Sequence, residues 1–315
     1  MKESLPGIHD IAKAHERIKT YINRTPVMTS STINRIAHAE IFFKCENFQK
    51  VGAFKFRGAC NAVFMLQENE LKNGVTTHSS GNHAAALSLA AKLRGTKAYI
   101  VMPETAPEVK KKAVEEYGGE IIFCKPTLEA RESMLEVVEK KTNATFIHPY
   151  DNYHVISGQG TAAKELLEEV PDLDIVIAPV GGGGLLSGTA IASKNLNRSA
   201  LVYGAEPKAA DDAYRSFKSK ILLPSDNPVT IADGLRTSLG SLTFAIIIKN
   251  VDDIITVSEK GIIEAMRLIW ERMKIIVEPS SAVPLGALLE NMNVKGKRIG
   301  IILSGGNVEL SKLPF

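Results

Sequence analysis

Ile175-Val176-Ile177-Ala178-Pro179-Val180-Gly181-Gly182-Gly183-Gly184-Leu185-Leu186-Ser187-Gly188-Thr189-Ala190-Ile191-Ala192-Ser193 is a run of 19 residues without a charge. Pro179 and four consecutive glycines interrupt it, so it is not a membrane span, which needs about 20 continuous apolar residues. Ile175–Ala178 is short and mostly β-branched, as a buried strand is, and Leu185–Lys194 returns to a helical period. A strand that passes through a glycine turn into a helix is part of a βα unit. The flanks repeat the unit in both directions. Upstream, the pattern gives a helix over His9–Tyr21, a strand over Ala39–Cys45, one helix over Phe56–Leu71 and a strand over Val75–His78. It continues with a helix over Asn82–Leu93, a strand over Ala98–Met102, a helix over Glu108–Tyr117 and a strand over Glu120–Cys124. A helix over Glu129–Lys141, a strand over Thr145–His148 and a helix near Gly160–Glu169 lead into the quoted stretch. Downstream lie strands over Ala200–Ala205, Asp253–Val257 and Ile299–Leu303, with helices near Gly261–Met273 and Ser280–Leu289. Such alternation predicts an α/β fold with mostly parallel sheets, in which ligands bind at the carboxyl ends of strands. Loops at Lys72-Asn73-Gly74 and Tyr150-Asp151-Asn152 divide the chain into a small domain, 73–151, and a large one, 1–72 with 152–315.

The composition agrees with an ordinary globular chain. Of 315 residues, 44% are hydrophobic and 23% charged, which excludes a disordered or collagen-like protein. A net charge of +3 and 6% aromatics, with Trp270 the single tryptophan, argue against a basic nucleic-acid surface. Cys45, Cys60 and Cys124 are odd in number and lack metal-site spacing, so they read as reduced thiols of a cytoplasmic protein. The opening Met1-Lys2-Glu3-Ser4-Leu5-Pro6-Gly7 shows no secretory signal.

Three strand ends carry chemistry. Gly181, Gly182, Gly183 and Gly184 allow close backbone approach and leave N–H groups free ahead of a helix, which makes a phosphate cradle; a plain tight turn would need fewer glycines. No lysine followed by Ser or Thr completes a P-loop. The third glycine of a dinucleotide fingerprint falls on Leu186 or Ser187, although Glu206 stands where such a fold places its acid. A nicotinamide oxidoreductase therefore stays open as an alternative. In Gly52-Ala53-Phe54-Lys55-Phe56-Arg57-Gly58-Ala59, Lys55 sits between two rings at the start of a helix. Apolar neighbours and the helix dipole both favour its neutral, nucleophilic form, against the plainer reading of a surface lysine that snorkels past core rings. Thr77-His78-Ser79-Ser80-Gly81-Asn82-His83 leads a strand into a helix; it reads either as an N-cap or as a seat for an anionic substrate group.

A reactive lysine with a phosphate cradle and no nucleotide motif points to pyridoxal phosphate. The segments GAFKFRGA, SSGNH, PVGGGGL, EPKAADD, IADG and LSGGN occur in the order found in fold-type II pyridoxal-phosphate enzymes. The whole chain resembles that group, and within it the branch of serine racemases and serine, threonine and 3-hydroxyaspartate dehydratases. The resemblance implies two open, twisted, mostly parallel sheets flanked by helices, with the cofactor between the domains. It implies that Lys55 forms the internal Schiff base, that Gly181–Gly184 hold the phosphate, that Asn82 meets the phenolic oxygen and that Phe54 flanks the ring. Gly234 would join the cofactor's surroundings, and Ser304 would face the pyridine nitrogen. A serine there cannot hold that nitrogen protonated as an aspartate would, so the electron sink is weaker and suits racemisation or β-elimination.

By the same resemblance, Lys55 and Ser80 are the acid/base pair on the two faces of Cα. Ser79, Asn82 and His83 would hold the substrate carboxylate, and Arg131 and Thr237 would lie near the substrate's far end. Glu206, Asp212 and the carbonyl of Ala210, in Glu206-Pro207-Lys208-Ala209-Ala210-Asp211-Asp212, resemble a structural site for Mg²⁺, Mn²⁺ or Ca²⁺; by spacing alone a solvated acidic loop is the competing reading. The relatives imply a homodimer. Animal members of the branch are activated by ATP, but Val51 and Ala85 stand where polar contacts are expected, so ATP activation is not expected here. Ala53, where serine is more common, has no functional reading. Nothing after Phe315 resembles a C-terminal regulatory domain, so feedback control is not expected.

Overall fold

The computed structural model describes residues 5–315, with residue 128 by its backbone alone. Met1-Lys2-Glu3-Ser4, read as free of a secretory signal, lies outside the described residues. Among the described residues, ten strands form two sheets. They are β1 (Val27–Met28), β2 (Glu40–Cys45), β3 (Val75–His78), β4 (Ala98–Pro103), β5 (Gly119–Cys124), β6 (Thr145–Phe146), β7 (Ile175–Pro179), β8 (Leu201–Pro207), β9 (Asp253–Val257) and β10 (Arg298–Leu303). One sheet runs β1-β2-β10-β7-β8-β9, parallel except for the β1–β2 pair. The other runs β5-β4-β3-β6 and is parallel throughout. Helices cover both sheets, so β7 is buried at every residue and reads as a continuous apolar run, without alternation.

The helices are α1 (Ile8–Ile18), α2 (Ser31–Ala37), α3 (Lys55–Met65), α4 (Glu68–Leu71), α5 (Asn82–Arg94), α6 (Glu108–Glu116), α7 (Leu128–Thr142), α8 (Tyr153–Glu169), α9 (Gly184–Leu196), α10 (Asp212–Ser219), α11 (Ser241–Asn250), α12 (Glu259–Met273) and α13 (Pro279–Asn291). The sequence pattern places most of them, with two corrections. The single helix expected over Phe56–Leu71 is two. Leu66 is extended and Gln67 opens a capping box with Glu70, so local hydrogen bonding restarts the helix. The helix expected near Gly160 begins at Tyr153, because the Asn152 side chain accepts the N–H groups of His154 and Val155. The pattern also passes over β1, α2, α10 and α11.

Helix α8 joins the parts that matter to the site. A Cβ on Gly158 would come within 2.6 Å of the Arg57 carbonyl oxygen, and one on Gly188 within 2.5 Å of the Gly160 nitrogen. Backbones therefore touch where α8 crosses α3 and again where it crosses α9, and glycine is required at both crossings. The cysteines Cys45, Cys60 and Cys124 are buried and free. No helix among the described residues is long and apolar enough to cross a membrane.

Candidate active site

Each sheet reverses its strand order once, and the two reversals define the site. In the larger sheet the reversal lies between β7 and β10; in the smaller it lies between β3 and β6. Such switch points open crevices at the carboxyl ends of the strands. The loops that follow these four strands carry Gly181–Gly184, Ser304, Ser79–Gly81 and His148-Pro149-Tyr150, and all of them line one cavity of about 480 Å³. Phe54, Lys55, Asn82, His83, Arg131, Gly234 and Thr237 line it as well. The fold thus brings together every cofactor- and substrate-site residue expected from the sequence, from segments far apart in the chain.

Lys55 is the first residue of α3, and its Nζ donates to the Pro149 carbonyl at 2.9 Å. The Phe54 ring centroid lies 5.2 Å from the same nitrogen. Burial lowers the ammonium pKa to about 8, against the opposing pull of the Glu278 charge. A substantial fraction of the amine is therefore neutral near pH 8, the form that attacks an aldehyde.

The glycine loop is built by exclusion. A Cβ on Gly182 would sit 2.3 Å from the Tyr150 ring, and Gly183 has φ +87°. Neither position admits an ordinary side chain. The Gly182 carbonyl accepts the Thr243 hydroxyl at 2.9 Å, which fixes the loop against α11. The loop enters α9, whose N-cap Gly183 offers no side-chain acceptor, so the first N–H groups of the helix remain for an anion. Thr237 stands beside Gly181, whose added Cβ would lie 3.3 Å from the Thr237 hydroxyl, and the Gly234 N–H donates to Ser280 Oγ at 3.2 Å.

Across the cavity, α5 starts at Asn82 with no side-chain cap on its N-terminus. The Asn82 amide donates to Glu278 at 2.9 and 3.2 Å, and its oxygen accepts from Asn307 at 2.9 Å. His83 is buried, with Nε2 3.2 Å from the Ile147 carbonyl oxygen, and burial holds its pKa well below the usual imidazole value. Ser304 Oγ lies 3.2 Å from Ser281 Oγ, and the Ser304 carbonyl accepts the Phe54 N–H at 2.9 Å. Arg131 Nε donates to the Thr127 carbonyl at 3.3 Å, which leaves the guanidinium at the cavity wall. Sequence reasoning missed Glu278. Burial, with the charge of Asp233, raises this carboxyl to about 7. The sequence signal was an acid directly before Pro279 at a helix start, which reads as an ordinary helix entry.

The expected metal ligands lie apart from this cavity. Glu206 ends β8 and Asp212 starts α10, and both are fully buried. Glu206 accepts the N–H groups of Ala213 and Tyr214 at 3.0 and 2.8 Å, and Asp212 Oδ1 has no partner. The solvated-loop alternative is therefore wrong. Among the described residues no cluster of three or more His, Cys, Asp or Glu side chains could hold a metal, so a cation here would rest on this pair and on carbonyl or water oxygens. A second cavity, of about 520 Å³, is lined by Val51, Ala85, Asn82 and Asn307.

A buried lysine with a lowered pKa and a glycine loop with free helix N–H groups line one cavity, as an enzyme that carries a phosphorylated aldehyde requires. Residues 18–305 match the family model described as pyridoxal-phosphate dependent enzyme. The serine racemase of Dictyostelium discoideum is 55% identical over 311 residues, covering 97% of this chain and 96% of that one. Its crystal structure superposes with a TM-score of 0.94 over 98% of this chain and 100% of that chain. The beta-hydroxyaspartate dehydratase of Paracoccus denitrificans is 51% identical, covering 99% of both chains. The chain belongs to the pyridoxal-phosphate dependent enzyme family and has its fold-type II architecture. The nicotinamide alternative falls, since Glu206 turns both oxygens to the backbone.

The cavity fits pyridoxal phosphate on its own terms. Lys55 would supply an amine for the aldehyde and the start of α9 would supply N–H groups for the phosphate, and both line the same cavity. Uptake of pyridoxal phosphate by the apoenzyme should accelerate as pH rises through about 8, because the neutral Lys55 amine is the attacking form. Stopped-flow absorbance across a pH series checks this; a rate flat from pH 6 to 9 contradicts it.

Proposed function

We propose that the enzyme interconverts L- and D-serine and, on some turnovers, dehydrates serine. Water leaves with the β-hydroxyl and water is taken up again, so pyruvate and ammonia together hold the atoms of serine. The supporting observation is that Lys55 and Ser80, two side chains able to carry a proton, wall the same cavity. Pyridoxal phosphate, when bound, draws electron density from Cα of an attached amino acid and acidifies its proton. Lys55 moves that proton on one face and Ser80 on the other. Ser79, with the backbone N–H groups of Asn82 and His83 that open α5, receives the carboxylate. Ser304 would offer a hydroxyl, not a carboxylate, to the pyridine nitrogen, which would keep the electron sink weak. The names borne by the Dictyostelium and Paracoccus relatives agree with racemisation and dehydration respectively.

Dehydration of a 3-hydroxyaspartate is the second reading, favoured by Arg131 in the cavity wall, whose guanidinium can pair with a second carboxylate. Threonine dehydration is the neighbouring option. A panel of L-serine, D-serine, L-threonine and 3-hydroxyaspartates, scored for both products, ranks these substrates. Glu206, Asp212 and the Ala210 carbonyl are proposed to hold Mg²⁺, Mn²⁺ or Ca²⁺; the buried, unpartnered Asp212 Oδ1 supports this. The division into 1–72 with 152–315 and 73–151 follows the two sheets and is proposed as the domain structure. We take the enzyme to be a cytoplasmic homodimer without ATP activation. Val51 and Ala85 bring apolar side chains to the second cavity.

Ser80→Ala should lower racemisation and D-serine elimination by roughly 10²–10⁴-fold, while L-serine elimination through Lys55 survives. D-serine formation and pyruvate from each enantiomer check this on one mutant. Normal racemisation with a lowered melting temperature would make Ser80 a structural residue. Chelation should lower melting temperature and activity together, with Mg²⁺ or Mn²⁺ restoring both, because a ligand of the native state stabilises by mass action. Glu206→Ala should abolish that response, and indifference of the wild type to chelator would refute the metal site.

A further inference from the structure

His148 stands at the switch point of the smaller sheet and has no part in the mechanism above. It follows β6, which pairs with β3, and β3 leads to Ser79 and Ser80. Its Nδ1 accepts the Asp151 N–H at 2.8 Å and the Tyr150 N–H at 3.3 Å. A backbone N–H can only donate, so Nδ1 holds a lone pair and the ring hydrogen belongs to Nε2. Among the described residues nothing accepts that hydrogen, yet Nε2 is not one of the buried polar atoms sealed off without a partner. The half-buried ring forms part of the cavity wall, so this edge is free to meet a ligand. Tyr150 packs edge-on with ring centroids 4.6 Å apart, and Phe146 does so at 5.6 Å, which fixes the plane. Burial pushes the imidazole pKa down to about 4; Asp151 opposes this, while His78 and Lys55 add to it. The ring is therefore a neutral donor at working pH.

We propose that His148 is a specificity-determining residue whose Nε2–H is a fixed hydrogen-bond donor to the hydroxyl oxygen of a β-hydroxy amino acid. The start of α5 offers aligned N–H groups that suit the charged carboxylate. A neutral, single N–H on the adjacent strand end suits an uncharged oxygen, and a substrate without that oxygen leaves the donor unpaired. This assignment rests on the serine reading above.

Two variants divide the roles of the ring. His148→Asn keeps an acceptor where Nδ1 meets the turn but removes the distal donor. His148→Gln keeps a distal donor but loses the turn acceptor. Binding of L-serine and L-alanine to the holoenzyme is read from the cofactor's visible absorbance, and ¹⁵N NMR of labelled histidine reads the tautomer. His148→Asn should weaken L-serine relative to L-alanine by about threefold to tenfold, with cofactor content unchanged. His148→Gln should retain most of the preference for L-serine and melt earlier. The wild-type spectrum should show Nε2 protonated and Nδ1 bare. A protonated Nδ1, or an unchanged serine-to-alanine ratio in His148→Asn, overturns the assignment. Equal losses for the two amino acids would place the donor on the carboxylate and overturn it too. A wild type that neither prefers nor turns over serine overturns the serine reading itself, and the donor's proposed target falls with it.

Discussion

The guanidinium of Arg57, closed off from solvent between the carboxylates of Glu46 and Glu165, anchors the elements that build the cavity. It donates to Glu46 at 2.7 and 2.9 Å and to Glu165 at 2.8 Å twice. Lys44 completes the charge balance, bonding Glu165 at 2.7 Å and the Thr25 carbonyl at 2.6 Å. Burial alone would raise the Glu165 pKa, but the hydrogen bonds and charges of Arg57 and Lys44 hold it at about 2. Removing one partner from such a cluster costs about 3–5 kcal/mol, because an unpaired buried charge is left behind. The cluster ties α3 to the end of β2 and to α8. Lys55 lies two residues before Arg57, and the Pro149 carbonyl that receives its amine lies just ahead of α8. A charge network outside the cavity therefore fixes both partners of the contact that defines the site.

From that fixed frame the chemistry follows by placement. Helix α8 touches α3 and α9 backbone to backbone, so the lysine and the glycine loop are held at a set distance by helix packing. The loop carries free N–H groups suited to an anion but no lysine, and the lysine carries an amine weakened as a cation by burial. Facing them, the smaller sheet brings Ser80, the start of α5 and His148. Each sheet supplies what the other lacks, and the cavity exists only where their switch points meet.

The sequence made much of this legible, for identifiable reasons. Gly181–Gly184 stand out because no simple turn needs four glycines, and Lys55 because a lysine between two phenylalanines is unusual. The strands were visible wherever burial on both faces gives an apolar run. Helix α10 was hidden behind a segment that reads as an acidic loop, whose last residue, Asp212, is the helix's first, and the split after Met65 turned on capping by Gln67 and Glu70. Glu278 and His148 could not be found by local pattern. Each becomes notable only through partners distant in the chain: Asn82 for Glu278, and the cavity shared with Lys55 and Ser80 for His148.

If Lys55 alone carries the cofactor, borohydride reduction of the holoenzyme followed by peptide mass mapping should find a stable cofactor adduct on the peptide containing Lys55 and on no other. An adduct on a different lysine, or none from enzyme that retains its cofactor absorbance, would contradict it.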